Sequence, residues 1–312
     1  MSVAEQRKQN FLLPSIKVEH MIAGVSGGIL STLLLHPLDL VKIRFEVNDG
    51  SGKRHRSYNG LWDALRTIHR EDGFKGLYKG VSPNMWGAGA AWGLYFFFYN
   101  TMKSYYQGGN ANVSMPAGVN MLIGTLAGVT TLSLTNPIWV VKTRMCLQVP
   151  GQVNASGEAV VMYRGMFHGL TSLYREEGIR GCYRGFVPGL FGVSHGAIQF
   201  VCYEQLKQYY CHLVGIPLSS HLSAVHYLSL AALSKLFAST STYPYQVVRA
   251  RLMDQQSDFT SMTDVVRRTF ASEGWRGFYK GLSPNLLRVT PATCITFLVY
   301  EKMSHALLSS DK

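Results

Sequence analysis

The segments "LHPLDLVKIR" (residues 35–44), "TNPIWVVKTR" (135–144) and "TYPYQVVRAR" (242–251) are three versions of one motif. Each has a proline (Pro37, Pro137, Pro244), a variable position two residues on, and bases five and seven residues on. The variable position carries Asp39, Trp139 and Gln246. A second motif follows each copy: "DGFKGLYKG" from Asp72, "EGIRGCYRG" from Glu177 and "EGWRGFYKG" from Glu273. An aromatic residue precedes each acid by fourteen positions, at Tyr58, Tyr163 and Phe259. The proline-to-acid separation varies (35, 40 and 29 residues), which places insertions in one exposed loop per repeat, whereas the fixed spacings mark structure.

The chain of 312 residues is 47% hydrophobic and only 15% charged, low in charge for a soluble protein. Stretches free of Asp, Glu, Lys and Arg run over 20–38, 80–102, 104–141, 185–203 and 208–234. Each is long enough for a helix to cross a bilayer core of about 30 Å. Two apolar stretches per repeat give six spans, and an even number puts both termini on one side. A mean hydropathy of only +0.05 fits helices that face lipid on one side and a wet cavity on the other. The net charge of +12 lies mostly between the spans, where it suits anionic lipid head groups and an anionic substrate. No basic stripe outside that pattern points to nucleic acid.

Cys146, Cys182, Cys202, Cys211 and Cys294 have no metal-ligand spacing and read as small, reduced, apolar residues. The first twenty residues show neither a signal-peptide core nor an Arg/Ser-rich transit composition. No phosphate-binding or dinucleotide glycine fingerprint, paired carboxylates or Cys/His cluster is found, which argues against an enzyme. Within the first repeat, a helix over roughly 20–46 is expected to kink at Pro37. Leu61, Leu65 and Ile68 form one face of a short surface helix, and Ser82 is a candidate cap of the next helix, with Pro83 in its first turn.

The thrice-repeated P-x-[DE]-x-x-[KR]-x-[KR] with [DE]-G-x-x-x-x-[YWF]-[KR]-G resembles the mitochondrial carrier family over nearly the whole chain. The resemblance implies an all-α membrane protein: six transmembrane helices in three pseudo-symmetric repeats around a central cavity, with short matrix surface helices. The units are a tail 1–19, repeats 20–108, 116–212 and 222–308, and a tail 309–312. It also implies a monomer in the mitochondrial inner membrane, both termini on the intermembrane-space side, exchanging small anions without a cofactor. "NPIWVVKTR", "GFVPGLFGVSHGAIQF" and "TYPYQVVRAR" are similar to the branch that carries folate, FAD, pyrimidine nucleotides and NAD. Folate (as tetrahydrofolate) and FAD stay open as the substrate, each a flat heterocycle with anionic groups, with NAD or a pyrimidine nucleotide as the alternative. A non-transporting receptor or scaffold is the reading from another class, against which the gates and an intramembrane Arg288 speak.

By that resemblance the proline motifs supply a matrix gate of Asp39, Lys42, Trp139, Lys142, Gln246 and Arg249. Asp39 with Lys142 can form an ion pair, Gln246 can accept from Lys42, and Trp139 can offer its ring to Arg249 or be a packed aromatic. Such a gate should open more easily than one of three ion pairs. A cytoplasmic gate would use Asn100, Lys103, Glu204, Lys207, Glu301 and Ser304. Substrate contacts carry over to Gly87, to Gly192 with Val193, where a flat ring could approach backbone, and to Arg288. Arg288 and Lys235 are charges inside spans and read as cavity residues; no acid lies within helical reach of Arg288 before Glu301. Trp92 and Trp139 are candidates to stack on a heterocycle, while His36 and His195 are not read as ligands. Gly73, Gly80, Gly178, Gly185, Gly274 and Gly281 read as backbone donors for cardiolipin phosphates, and no metal site is expected. The second copy is one residue short between its glycine and tyrosine (Gly185 to Tyr203, 18 residues, against 19 in the others), which leaves the register beyond Val193 open.

Overall fold

The computed structural model describes residues 18–49, 55–108, 114–151, 159–217, 222–289, 291, 292 and 295. Repeat one comprises α1 (Val18–Val47), α2 (Leu61–Gly76) and α3 (Val81–Tyr106). Repeat two comprises α4 (Ala117–Leu147), α5 (Met166–Cys182), α6 (Phe186–Phe191) and α7 (Ser194–Val214). Repeat three comprises α8 (Ala224–Ser241), α9 (Tyr243–Met253), α10 (Met262–Glu273), a 3-10 turn (Gly274–Tyr279) and helix over 282–289. No strand occurs among the described residues. Two of these stretches, Gly118–Leu147 and Phe186–Val214, can cross a membrane on length and apolarity alone.

Pro37 and Pro137 lie inside continuous helices, whereas the third copy breaks outright, with Thr242 between α8 and α9 and Pro244 at the start of α9. Proline removes one intrahelical donor, yet the helix continues through Pro37 and Pro137 and is interrupted only in the third copy. The C-terminal halves of α1, α4 and α9 then converge pairwise into a triangle. Under it, each repeat has a small apolar core. Leu40, Val41 and Ile43 pack with Ala64 and Ile68, Val140 and Val141 with Leu173, and Val248 and Leu252 with Val265 and Phe278. Ile68 is fully buried and Leu61 and Leu65 pack against the first core, so the periodic face of α2 is its inner one.

The triangle is closed by a ring that the motif spelled out but the sequence reading left unassigned. Arg44, Arg144 and Arg251, the second base of each proline motif, donate from Nε to the backbone oxygens of Cys146, Met253 and Glu46, at 3.1, 3.1 and 3.0 Å. Each thus ties its own repeat to the next one around the ring. The other end of each guanidinium meets the acid of its own repeat: Asp72 at 3.9 Å, Glu177 at 2.6 Å and Glu273 at 2.6 Å. Tyr58 and Tyr163 add hydroxyl acceptors; Phe259 has none, and Thr269 takes that place for Arg251. Glu177 lies outside the spans. Burial raises its affinity for a proton, but the hydrogen bond and charge of Arg144, aided by Arg184, outweigh it and hold the carboxyl below its ordinary range.

The N-cap of α3 is Gly80, left-handed at φ 80°, not Ser82, which lies inside the helix. Gly185 and Gly281 repeat that conformation, at φ 70° and 86°. A side chain on Gly80 would meet the Cys146 sulfur at 2.7 Å, and one on Gly281 the Lys42 carbonyl at 2.8 Å. These three glycines are buried beneath the next repeat, where a side chain would not fit. Gly73, Gly178 and Gly274, at φ 66°, 63° and 64°, face open space and mark kinks or ends of the surface helices.

Candidate functional site

The three proline-containing helices α1, α4 and α9 converge on the floor of a central cavity lined by Asp39, Lys42, Trp139, Lys142, Gln246 and Arg249, all six residues read as the matrix gate. Two of the expected contacts span it: Lys142 Nζ lies 2.5 Å from Asp39, and Lys42 Nζ donates to Gln246 Oε1 at 2.8 Å. The third differs. Arg249 donates to Asn136 Oδ1 at 3.2 Å, and the Trp139 ring lies under Lys142, 5.6 Å from its nitrogen, rather than under Arg249. Asn136, fully buried beside the proline, anchors there because its amide also donates to the Cys182 and Arg184 carbonyls. Lys42 has a second partner, Glu46, one turn along the same helix at 3.5 Å. Because that pair is intrahelical, it does not join two repeats.

Arg288 and Lys235 line the same cavity. Arg288 lies 3.8 Å from Asp39, so tertiary structure supplies the acid that helical spacing excluded. That distance is a charge contact without a hydrogen bond: Arg288 Nε is buried and makes none. Counting the lining groups, Lys42, Lys142, Lys235, Arg249 and Arg288 face Asp39 and Glu46, five cations against two carboxylates, an excess of three positive charges. His195 also lines the cavity and bonds Thr242 at 2.9 Å, while His36 is buried against the Lys79 carbonyl at 2.9 Å.

The remaining candidates are elsewhere. Gly87 is buried, and a side chain there would meet Ile138 at 3.2 Å and the Trp139 indole at 3.4 Å, so the room it leaves is already filled. Val193 packs its methyls against Gly128 of α4. Gly192 and Val193 form the break between α6 and α7, held by bonds of 2.9, 3.1 and 3.2 Å from residues 192, 193 and 195 to carbonyls three positions back. A 3-10 turn uses about three residues where an α-turn uses 3.6, so this tightening makes up part of the residue missing from the second copy. Trp92 is 65% exposed and stacks on Phe96, outside the residues lining the cavity floor. At the opposite end, Asn100, Lys103, Glu204 and Lys207 make no ion pair among the described residues; Lys207 lies 6.0 Å from the Tyr227 ring. Glu301 and Ser304 lie outside the described residues.

The sequence that builds this basic cavity from three copies of one motif matches the family model described as mitochondrial carrier protein over residues 16–110, 113–213 and 220–311. The chain belongs to the mitochondrial carrier family. Members of that family are transporters rather than enzymes, built of six spanning helices. This carrier is 39% identical to "Folate transporter 1, chloroplastic" of Arabidopsis thaliana over 295 residues, 91% of this chain and 94% of that one. It is 36% identical to "Nicotinamide adenine dinucleotide transporter 1, chloroplastic" of the same plant, covering 92% and 91%. It is 33% identical to "Mitochondrial FAD carrier protein FLX1" of Saccharomyces cerevisiae, covering 93% and 97%. These relatives carry different cargoes by name at similar identities.

Proposed function

We propose that this carrier moves folate (as tetrahydrofolate), FAD or both into the mitochondrial matrix by alternating access. The observation that carries the reading is Arg288, a guanidinium with an unsatisfied buried Nε in a cavity holding three surplus positive charges. A fork of donors in such a place suits phosphate or carboxylate, and both substrates have such groups beside a flat ring. The floor residues Asp39, Lys42, Trp139, Lys142, Gln246 and Arg249 act as the matrix gate. Asn100, Lys103, Glu204 and Lys207, with Glu301 and Ser304, act as the opposite gate. Binding energy of the anion offsets the opening of one gate as the other closes. The carrier works as a monomer, both termini on the intermembrane-space side, with cardiolipin phosphates near the open kinks at Gly73, Gly178 and Gly274.

Purified protein in liposomes tests this with labelled FAD and labelled tetrahydrofolate, each competed by the other, by NAD and by pyrimidine nucleotides. Uptake of at least one label, lost in Arg288→Ala, is expected. Competition by NAD or a pyrimidine nucleotide stronger than by either proposed substrate would move the assignment to that compound. Absence of time-dependent uptake of every compound would refute transport of this class.

A further inference from the structure

Neither Gly87 nor Gly192 offers bare backbone to the cavity. Trp139 fills the notch at Gly87; at Gly192 a side chain would come within 2.9 Å of the Gly189 carbonyl, 3.0 Å of the Tyr245 hydroxyl and 3.2 Å of its Cζ. Both rings come from the proline motif of the following repeat, and both line the central cavity. Each glycine is therefore a seat for an aromatic ring, and the rings are the flat surfaces presented to the substrate.

Tyr245 differs from Trp139 in what stands behind it. Its ring also lines a second, apolar cavity bounded by Phe191, Ile198, Val248, Val266 and Phe270, between α6, α7, α9 and α10. Tyr245 thus borders cavities on two sides, whereas the Trp139 indole lies under Lys142 and borders the central one.

We infer that Tyr245 is a substrate-binding residue: its ring, seated by Gly192, receives the flat heterocycle of the transported anion, while Arg288 and Lys235 hold the anionic part. This deepens the proposed function and rests on it. Aromatic stacking is indifferent to the pattern of hydrogen-bonding groups on a ring, so one such wall suits a pterin or an isoalloxazine alike.

The test measures KM and kcat for labelled FAD and tetrahydrofolate in liposomes, for wild type, Tyr245→Leu, Tyr245→Phe, Gly192→Ala and the double variant Gly192→Ala/Tyr245→Leu. Tyr245→Leu should raise KM about tenfold, the scale of one lost stack, with a smaller change in kcat. Tyr245→Phe, which keeps the ring, should recover most of that loss. Gly192→Ala should raise KM by displacing the ring, and should add no further factor in the Tyr245→Leu background. Tyr245→Met serves the same comparison if the leucine variant does not fold. Because Gly192→Ala also crowds the Gly189 carbonyl at 2.9 Å, its thermal midpoint is measured alongside; should it raise KM by the same factor with and without the ring at an unchanged midpoint, the glycine itself touches substrate and the inference fails. It fails equally if Tyr245→Leu changes kcat and thermal stability but leaves KM alone. Wild-type protein that takes up neither compound overturns the substrate assignment itself, a result distinct from wild-type uptake that Tyr245→Leu leaves unaltered.

Discussion

Converting Gln246 to glutamate tests how lightly the matrix gate is held. Lys42 Nζ donates to the Gln246 amide oxygen at 2.8 Å, and its side chain is only 12% exposed, so solvent screens the contact weakly. A Coulomb estimate for a new ion pair at that distance would overstate the gain, because Glu46 already sits 3.5 Å from the same nitrogen and would repel a second carboxylate. The useful increment is the difference between a charged and a neutral acceptor, about 1 to 1.5 kcal/mol. This energy joins α1 to α9 and must be given up whenever the floor opens, unlike the Lys42–Glu46 pair, which travels with α1. Gln246→Glu should therefore slow turnover about five- to twelvefold where floor opening limits the cycle, and should raise the thermal midpoint in detergent. Single-turnover uptake in liposomes and a thermal melt read the two effects. A higher melting point with turnover at or above that of wild type would refute the link between floor strength and rate, and no change in either would refute the geometry.

Arg144→Met should destabilise the protein by about 3 to 5 kcal/mol, since it strands the buried Met253 carbonyl and the Glu177 carboxylate that the guanidinium now pairs; a thermal melt reads it. The same carboxylate gives a pH signature. Its proton affinity is lowered on folding, so its contribution is fully present above the unfolded carboxylate value of about 4.3 and is lost as pH falls through the lower folded value. Glu177→Gln should flatten the acid limb of the stability-versus-pH curve. Gly178→Ala and Gly185→Ala both impose a left-handed backbone on alanine, about 1 to 2 kcal/mol each, but only the second also crowds Met253 and Arg249 at 3.0 and 3.1 Å. Gly185→Ala should therefore lower the melting midpoint more than Gly178→Ala. Gly87→Val should push the indole of Trp139 off its seat and reduce uptake at unchanged protein yield.

The sequence by itself determined the threefold plan and the buried face of α2, because each is a local periodicity or a fixed spacing that one chain segment carries within itself. The membership of the floor, with Asp39 facing Lys142 and Gln246 facing Lys42, followed from the resemblance of the proline motifs to the carrier family. Only the tertiary structure decided which neighbour each side chain takes. Trp139 rests on Lys142 because they share one face of α4, and Arg249 is free to reach Asn136 instead. Arg288 finds Asp39 on another repeat, beyond any helical spacing. Gly87 and Gly192 looked like openings in a one-dimensional reading, since a missing side chain is visible in sequence but the ring that fills its place is not. Whether a glycine means room or contact depends on the atoms opposite it, and those come from a helix about fifty residues away.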